Sequence, residues 1–240
     1  MKNLIFILLS IIILSSCSNK NNSDKTRKTD YIVSNIENSE IKKNDEKQTV
    51  NINYTQSGSK ILIAYFTWSD NTVVSNPSSI NPDAETSASV LSPGNAELIA
   101  TWIQEEIGGD LFSIKTQNKY SSDYDECLNQ ARKERDNNER PALTDKINNI
   151  NDYDVIFLGF PNWWYTCPMA VFTFVESYDL SGKTIIPFCT HGTGGLSRTI
   201  RDLKKLLPAN CKVLDPIGVY RPEVKNSKSK VVDWVRKLDY

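Results

Sequence analysis

From residue 58 onward the chain alternates short apolar runs with amphipathic stretches. Lys60–Phe66 is a continuous apolar run and predicts a buried strand. Asn95–Ile107 sets Leu98, Ile99, Trp102, Ile103 and Ile107 at helical spacing, and Gly108-Gly109 ends it. Asp110–Thr116 alternates as a strand does. Asp123–Asn137 reads as a polar helix with few apolar positions, which places it at the surface. Further strands are predicted at Asp154–Phe160, Lys183–Thr190 and Lys212–Tyr220. Helices at Pro168–Ser177, Leu196–Leu207 and Ser227–Leu238 follow them in turn, the first opening on a proline. Continuous apolar strands joined by helices imply a parallel sheet covered on both faces. The expected fold is α/β: a doubly wound, five-stranded parallel sheet in three layers. Ligands of such sheets bind at the carboxyl ends of the strands, near the switch point.

Residues 1–57 break the pattern. Met1-Lys2-Asn3 is a short positive stretch followed by apolar Leu4–Leu14. As a helix that run spans only about 16 Å, so it reads as an export signal more than a membrane span. Leu14-Ser15-Ser16-Cys17 resembles a bacterial lipobox, which implies lipidation at Cys17 and a membrane anchor on the extracytoplasmic side. Residues 18–57 are rich in Asn, Lys, Ser, Asp and Glu and are expected to form a disordered tether. Its r.m.s. span would be on the order of 35 Å. The expected organisation is therefore a signal and lipobox (1–17), a tether (18–57) and one domain (58–240).

Charge changes the picture little. The 28 Lys and Arg against 29 Asp and Glu leave a formal charge of -1, which gives no reason to expect a nucleic-acid partner. One histidine and five scattered cysteines show no metal-binding spacing, so no metal site is predicted. Cys189 falls in a strand, where a free thiol packs as a small hydrophobe, and no disulfide pair is predicted.

Candidate chemistry concentrates in the loops after the first, third and fourth strands: "TWSDNT", "PNWWYTCP" and "THGTGG". Thr67–Thr72 offers three hydroxyls and an amide, equally readable as a turn or as a nest for an anion. Three consecutive aromatics, Trp163-Trp164-Tyr165, cannot all point inward; one indole is expected in the core and the pair to contribute a ligand contact. Thr190–Gly195 follows with three glycines that permit close backbone approach. His191 reads either as a donor to a ligand or as a turn residue bonded to a carbonyl.

A phosphate nest, an aromatic wall and a glycine clamp fit a phosphorylated flat heterocycle. Residues 60–220 resemble flavodoxins, in particular a bacterial flavodoxin-like group. "YFTWSDNT" looks like the phosphate loop of that family, and "PNWWYTCPMAVFTFVESYDLSGKTIIPFCTHGTGGL" like its P-x-W-W-x-x-x-P and P-F-x-T-H segments. The resemblance implies a strand order of 2-1-3-4-5 and FMN held non-covalently. It places Thr67, Ser69, Asn71 and Thr72 at the phosphate and Trp68 of the same loop among the cofactor contacts. Pro93-Gly94-Asn95 further reads as a helix N-terminus whose Asn95 and Ala96 amides meet the phosphate. Pro161, Asn162, Trp163, Trp164, Tyr165 and Thr166 would flank the isoalloxazine on one side. Thr190, His191, Gly192, Gly194 and Gly195 would flank it on the other.

Two residues depart from the family pattern. Asp70 stands where a glycine is common and brings a carboxylate beside the expected phosphate. Tyr165 replaces another glycine, and Val73–Pro93 inserts some twenty residues that read either as a lid or as a disordered insertion. Three functions remain open. The first is a membrane-tethered FMN protein that transfers electrons between redox partner proteins. The second is an FMN-dependent NAD(P)H or quinone reductase, although G-x-G-x-x-G is absent. The third is a flavin-free binding lipoprotein on the same scaffold.

Overall fold

A computed structural model describes residues 60–83 and 89–240. The signal, the lipobox with Cys17 and the tether lie outside the described residues. By its contacts the chain divides at Val50, and every described residue belongs to the unit Asn51–Tyr240. Among the described residues no helix is long and apolar enough to cross a membrane.

Strands β1 (Ile61–Tyr65), β2 (Asp110–Ser113), β3 (Val155–Pro161), β4 (Thr184–His191), β5 (Lys212–Val213) and β6 (Ile217–Tyr220) form one parallel sheet. Its order is β2-β1-β3-β4-β5, with β6 also on β4, which is the order the resemblance implies. The expected fifth strand is therefore two short pieces along one edge. Between them lies Pro216, which has no N–H to give the ladder.

Helices cover both faces. Helices α1 (Asn95–Ile107) and α5 (Lys228–Val235) bury Ile99, Ile103, Val231 and Val235 with Ile63, Phe157 and Phe188 of the sheet. On the other face lie α2 (Tyr124–Asp136), α3 (Met169–Glu176) and α4 (Thr199–Lys204), packed on Leu62, Ile156 and Cys189. Helix α1 spans the residues its periodicity predicted. Helix α4 is shorter than expected, because Ser197 turns to φ +48° before it and the Leu206 N–H bonds Leu203 in a tight final turn.

Helix α2 is not the all-polar surface helix its composition predicts. It buries Cys127, Ala131 and Glu134, one stripe at i, i+4 and i+7. The buried Glu134 accepts hydrogen bonds from Tyr120 Oη (2.8 Å) and Gln130 Nε2 (3.0 Å). Burial, opposed by those two bonds, holds its carboxyl above the ordinary value. Cys127, Cys167, Cys189 and Cys211 are all free thiols.

Strand β2 stops at Ser113, three residues sooner than its alternation predicts. The Ile114 N–H still bonds Tyr65 O, but from there the backbone turns to meet the side chain of Asn71.

Candidate functional site

The three unusual loops gather where β1, β3 and β4 end. In the first, Asn71 acts as a fastener. Its Nδ2 donates to Thr67 O (2.8 Å) and Ile114 O (3.0 Å), while its Oδ1 accepts from the Thr116 N–H (2.8 Å) and hydroxyl (3.1 Å). All four bonds the amide can make lie inside the protein. Thr72 is likewise committed, its hydroxyl donating to Tyr120 O at 2.9 Å. Trp68 is 1% exposed and donates from Nε1 to Ser121 O. The resemblance assigns Asn71 and Thr72 to a phosphate and places Trp68 among the cofactor contacts, but the three side chains lace the loop to residues 114–121. Thr67 and Ser69 are the hydroxyls that remain, 3.4 Å apart.

Those hydroxyls face the start of α1. A β-carbon on Gly94 would stand 1.8 Å from Thr67 Oγ1 and 2.7 Å from Ser69 Oγ, so only glycine permits this approach. Gly94, at the N-cap, has no side chain to offer, and the first amides, Asn95 and Ala96 among them, have no intrahelical acceptor. Glu97 Oε2 takes the Gly94 N–H at 2.9 Å. Among the described residues, Asn95 Nδ2 is the buried side-chain polar atom that has no hydrogen-bond partner. Buried donors are rarely left so, which singles Asn95 out beside the cradle.

Asp70 bears on that cradle less directly than its position suggests. Its carboxylate accepts from Ser113 Oγ at the end of β2, and its carbonyl accepts from Lys119 Nζ. The charge is still felt nearby. Burial, with Asp70 and Glu97 adding to it, pushes the Tyr65 hydroxyl up to about 12.

The second loop is a two-residue turn of unusual composition. Trp163 N bonds Thr166 O (3.0 Å) and Thr166 N bonds Trp163 O (3.1 Å), with Trp164 at φ +50° and Tyr165 at φ +66°. Turns of this kind favour Asn-Gly; two large aromatics in left-handed conformation cost of order 1–2 kcal/mol each. Trp163 is 8% exposed and meets Phe66 and Tyr120 edge-on at 5.3 and 5.2 Å. Trp164 leans on α2, donating to Leu128 O and lying under the guanidinium groups of Arg132 and Arg135. The aromatic that faces outward is thus Tyr165, 59% exposed, rather than the tryptophan pair. Thr166 closes the turn with its hydroxyl on Asp202 Oδ2 (3.1 Å). Burial pushes the Asp202 carboxyl up, but bonds from Lys205, Thr166 and Arg201 hold it below its ordinary value.

Asn162 ties this loop to the third. Its N–H donates to Thr190 O (2.7 Å) and its Nδ2 to Gly195 O (2.6 Å), while Pro161 pairs with Thr190 across the ladder. Gly194 lies against Tyr165, where an added β-carbon would be 3.5 Å from Cε1. Gly195 takes φ +58°. His191 follows the second of its two readings, with Nδ1 on the Gly192 carbonyl at 2.7 Å. Its ring rests on Gly218, beside Tyr220. Gly192 carries a neighbour the sequence did not single out: the Arg221 guanidinium, 3.4 Å from where a β-carbon would stand.

A flavodoxin family model matches residues 84–238, well over half of the chain. The chain belongs to the flavodoxin family. A putative flavoprotein from Bacteroides uniformis is 27% identical, with a TM-score of 0.56, over 75% of this chain and all of that one. One from Bacteroides eggerthii is 28% identical, with a TM-score of 0.50, over 72% and 98%. A flavoprotein from Lactobacillus acidophilus, solved in complex with FMN, is 20% identical, with a TM-score of 0.48, over 71% and 97%. No curated protein matches.

The flavodoxin match begins after β1 and the first loop, so the Thr67 and Ser69 side of the cradle rests on this chain's own geometry, while Gly94 lies inside the match. Arg221 is the neighbour that sequence reasoning left out of the site. Arg221 was legible only as the residue after the last strand, since every strand of a parallel sheet ends at the same edge.

Proposed function

We propose that the chain binds FMN non-covalently and serves in electron transfer, held to a membrane by a lipid on Cys17. The observation that carries this reading is the close approach of the Gly94 backbone, at the start of α1, to the hydroxyls of Thr67 and Ser69. The donors there are all neutral and suit a ribityl phosphate. Thr67 and Ser69 would hold the phosphate with the Asn95 and Ala96 amides. The isoalloxazine would lie between the Pro161–Thr166 and Thr190–Gly195 loops, which Asn162 keeps at fixed separation. When bound, FMN supplies one- and two-electron chemistry through that ring. The protein's part is to hold, orient and shield it, with Tyr165 as the planar cover. Redox partner proteins or small quinone-like acceptors would meet it at the exposed Tyr165 edge.

Titrating flavin-free protein with FMN and with riboflavin, followed by quenching of flavin fluorescence, tests this directly. FMN is expected to bind far more tightly than riboflavin, because the cradle recognises the phosphate. Equal affinity, or no quenching by folded protein, would overturn the reading. Release of a Cys17→Ala variant from the membrane fraction tests the anchor.

A further inference from the structure

A second concavity lies behind the Trp163–Thr166 turn. It is a cleft of about 310 Å³ between α2, α3 and α4, and it takes in Arg135, Arg140, Arg198, Arg201 and Lys205. Asp202 alone answers three of these cations, with Lys205 Nζ at 3.0 Å, Arg201 Nε at 3.4 Å and Arg198 Nε at 3.8 Å. Arg135 pairs with Asp136, and Arg140 with Glu176. Five cations therefore meet three carboxylates, in a chain whose overall charge is -1. The floor is apolar where the Arg140 guanidinium lies over the Phe172 ring.

We propose that this cleft is a second anion site, which takes a compact polyvalent oxyanion, a phosphate ester or a polycarboxylate. Two positive charges in excess match a dianion. Gathering five cations around one concavity raises the local positive potential over that of a flat face with the same charges spread apart. Guanidinium groups, planar and always charged, suit both oxyanion classes through paired N–H donors. A volume near the lower limit of ligand pockets favours a small anion over a protein segment.

The cleft is wired to the turn beneath Tyr165 at three points. Arg135 Nη1 reaches Trp164 O (3.4 Å), the Arg198 N–H donates to Tyr165 O (3.1 Å), and Asp202 holds the Thr166 hydroxyl. An anion that draws Arg201 and Lys205 off Asp202 thus acts on residues next to the aromatic that faces outward. The site does not depend on the flavin reading, since none of its cations belongs to the first-loop cradle.

Calorimetric titration of the full chain at constant ionic strength tests it, with pyrophosphate and citrate in separate arms and an oligo-aspartate peptide in a third. Gly94→Ala serves as the control, because it obstructs the other anion cradle. Saturable binding of pyrophosphate, citrate or both is expected in the parent protein and in Gly94→Ala, and the arm that binds identifies the source. Affinity should fall roughly tenfold or more in Arg198→Gln/Arg201→Gln, as charged hydrogen bonds are lost. Lys205→Gln, on a well-exposed side chain, should weaken binding likewise if the double variant does not fold. Absence of saturable binding would overturn the proposal. So would binding that disappears in Gly94→Ala but survives the arginine substitutions, or binding of the peptide alone.

Discussion

Gly94 lies so close to Thr67 that a β-carbon on it would stand 1.8 Å from the threonine hydroxyl. The start of α1 and the loop after β1 thus form one surface, made of backbone amides on one side and hydroxyls on the other. Gly94→Ala must push Thr67 and Ser69 out of that arrangement. FMN affinity is expected to fall at least roughly a hundredfold, as several phosphate hydrogen bonds are lost together. Helix content should be retained, since the clash falls on side-chain atoms. A variant that binds FMN as the parent does would remove the cradle from the site.

Asn95 should separate affinity from stability. Its buried Nδ2 has no partner in the protein, so Asn95→Ala removes an unsatisfied donor. Flavin-free Asn95→Ala is expected to match or exceed the parent in urea denaturation, while its FMN affinity drops. A loss of stability without a loss of affinity would mean the amide serves the protein and not a ligand.

Asn71 should behave in the opposite way. Truncation to alanine strands two carbonyls and one buried N–H, and loosens the loop from residues 114–116, while the Thr116 hydroxyl keeps Asn118 O as its acceptor. We expect Asn71→Ala to cost about 2–4 kcal/mol in denaturant titrations whether or not FMN is present. A change under about 0.5 kcal/mol, ordinary for a surface site, would contradict its role as a fastener.

Tyr165 holds φ +66° with most of its side chain in solvent. Tyr165→Gly relieves that conformation and sacrifices little packing, so flavin-free protein should gain about 1 kcal/mol, net of the added chain entropy. Weaker FMN binding by the same variant would identify the side chain as the cover of the flavin. Destabilisation would instead show that the ring packs more than its exposure suggests.

Glu134 should give stability a specific pH dependence. Its carboxyl titrates above the ordinary 4.5 in the folded protein, so the folded chain binds more protons than the unfolded chain across that interval. The stability this group contributes is therefore lost as pH rises from the unfolded to the folded value. Glu134→Gln keeps an oxygen for the Tyr120 hydroxyl and removes the charge. Denaturation at a series of pH values from about 4 to 8 should show the variant gaining on the parent as pH rises. A constant difference would contradict the shift.

The succession of strands and helices, the extent of α1 and the three loops at the carboxyl edge were legible in the chain alone. Each depends on periodicity within a few turns or on residues adjacent in sequence, and such patterns survive without knowledge of what packs where. The sequence also marked Asp70 and Tyr165 as departures from the family. Their consequences were another matter. Tertiary contact set the Asp70 carboxylate on Ser113, turned Trp163 into the core and left Tyr165 outward, although no residue type in Trp-Trp-Tyr signals a positive φ. It converted Asn71 from an expected phosphate donor into a fastener, because its partners on residues 114–116 are brought close only when β1 and β2 pair. It gathered Arg135 and Arg140 with Arg198, Arg201 and Lys205 into one cleft, from helices that no local pattern relates. What depended on backbone period belonged to the sequence; what depended on which distant side chains share a surface was decided when the sheet closed under its helices.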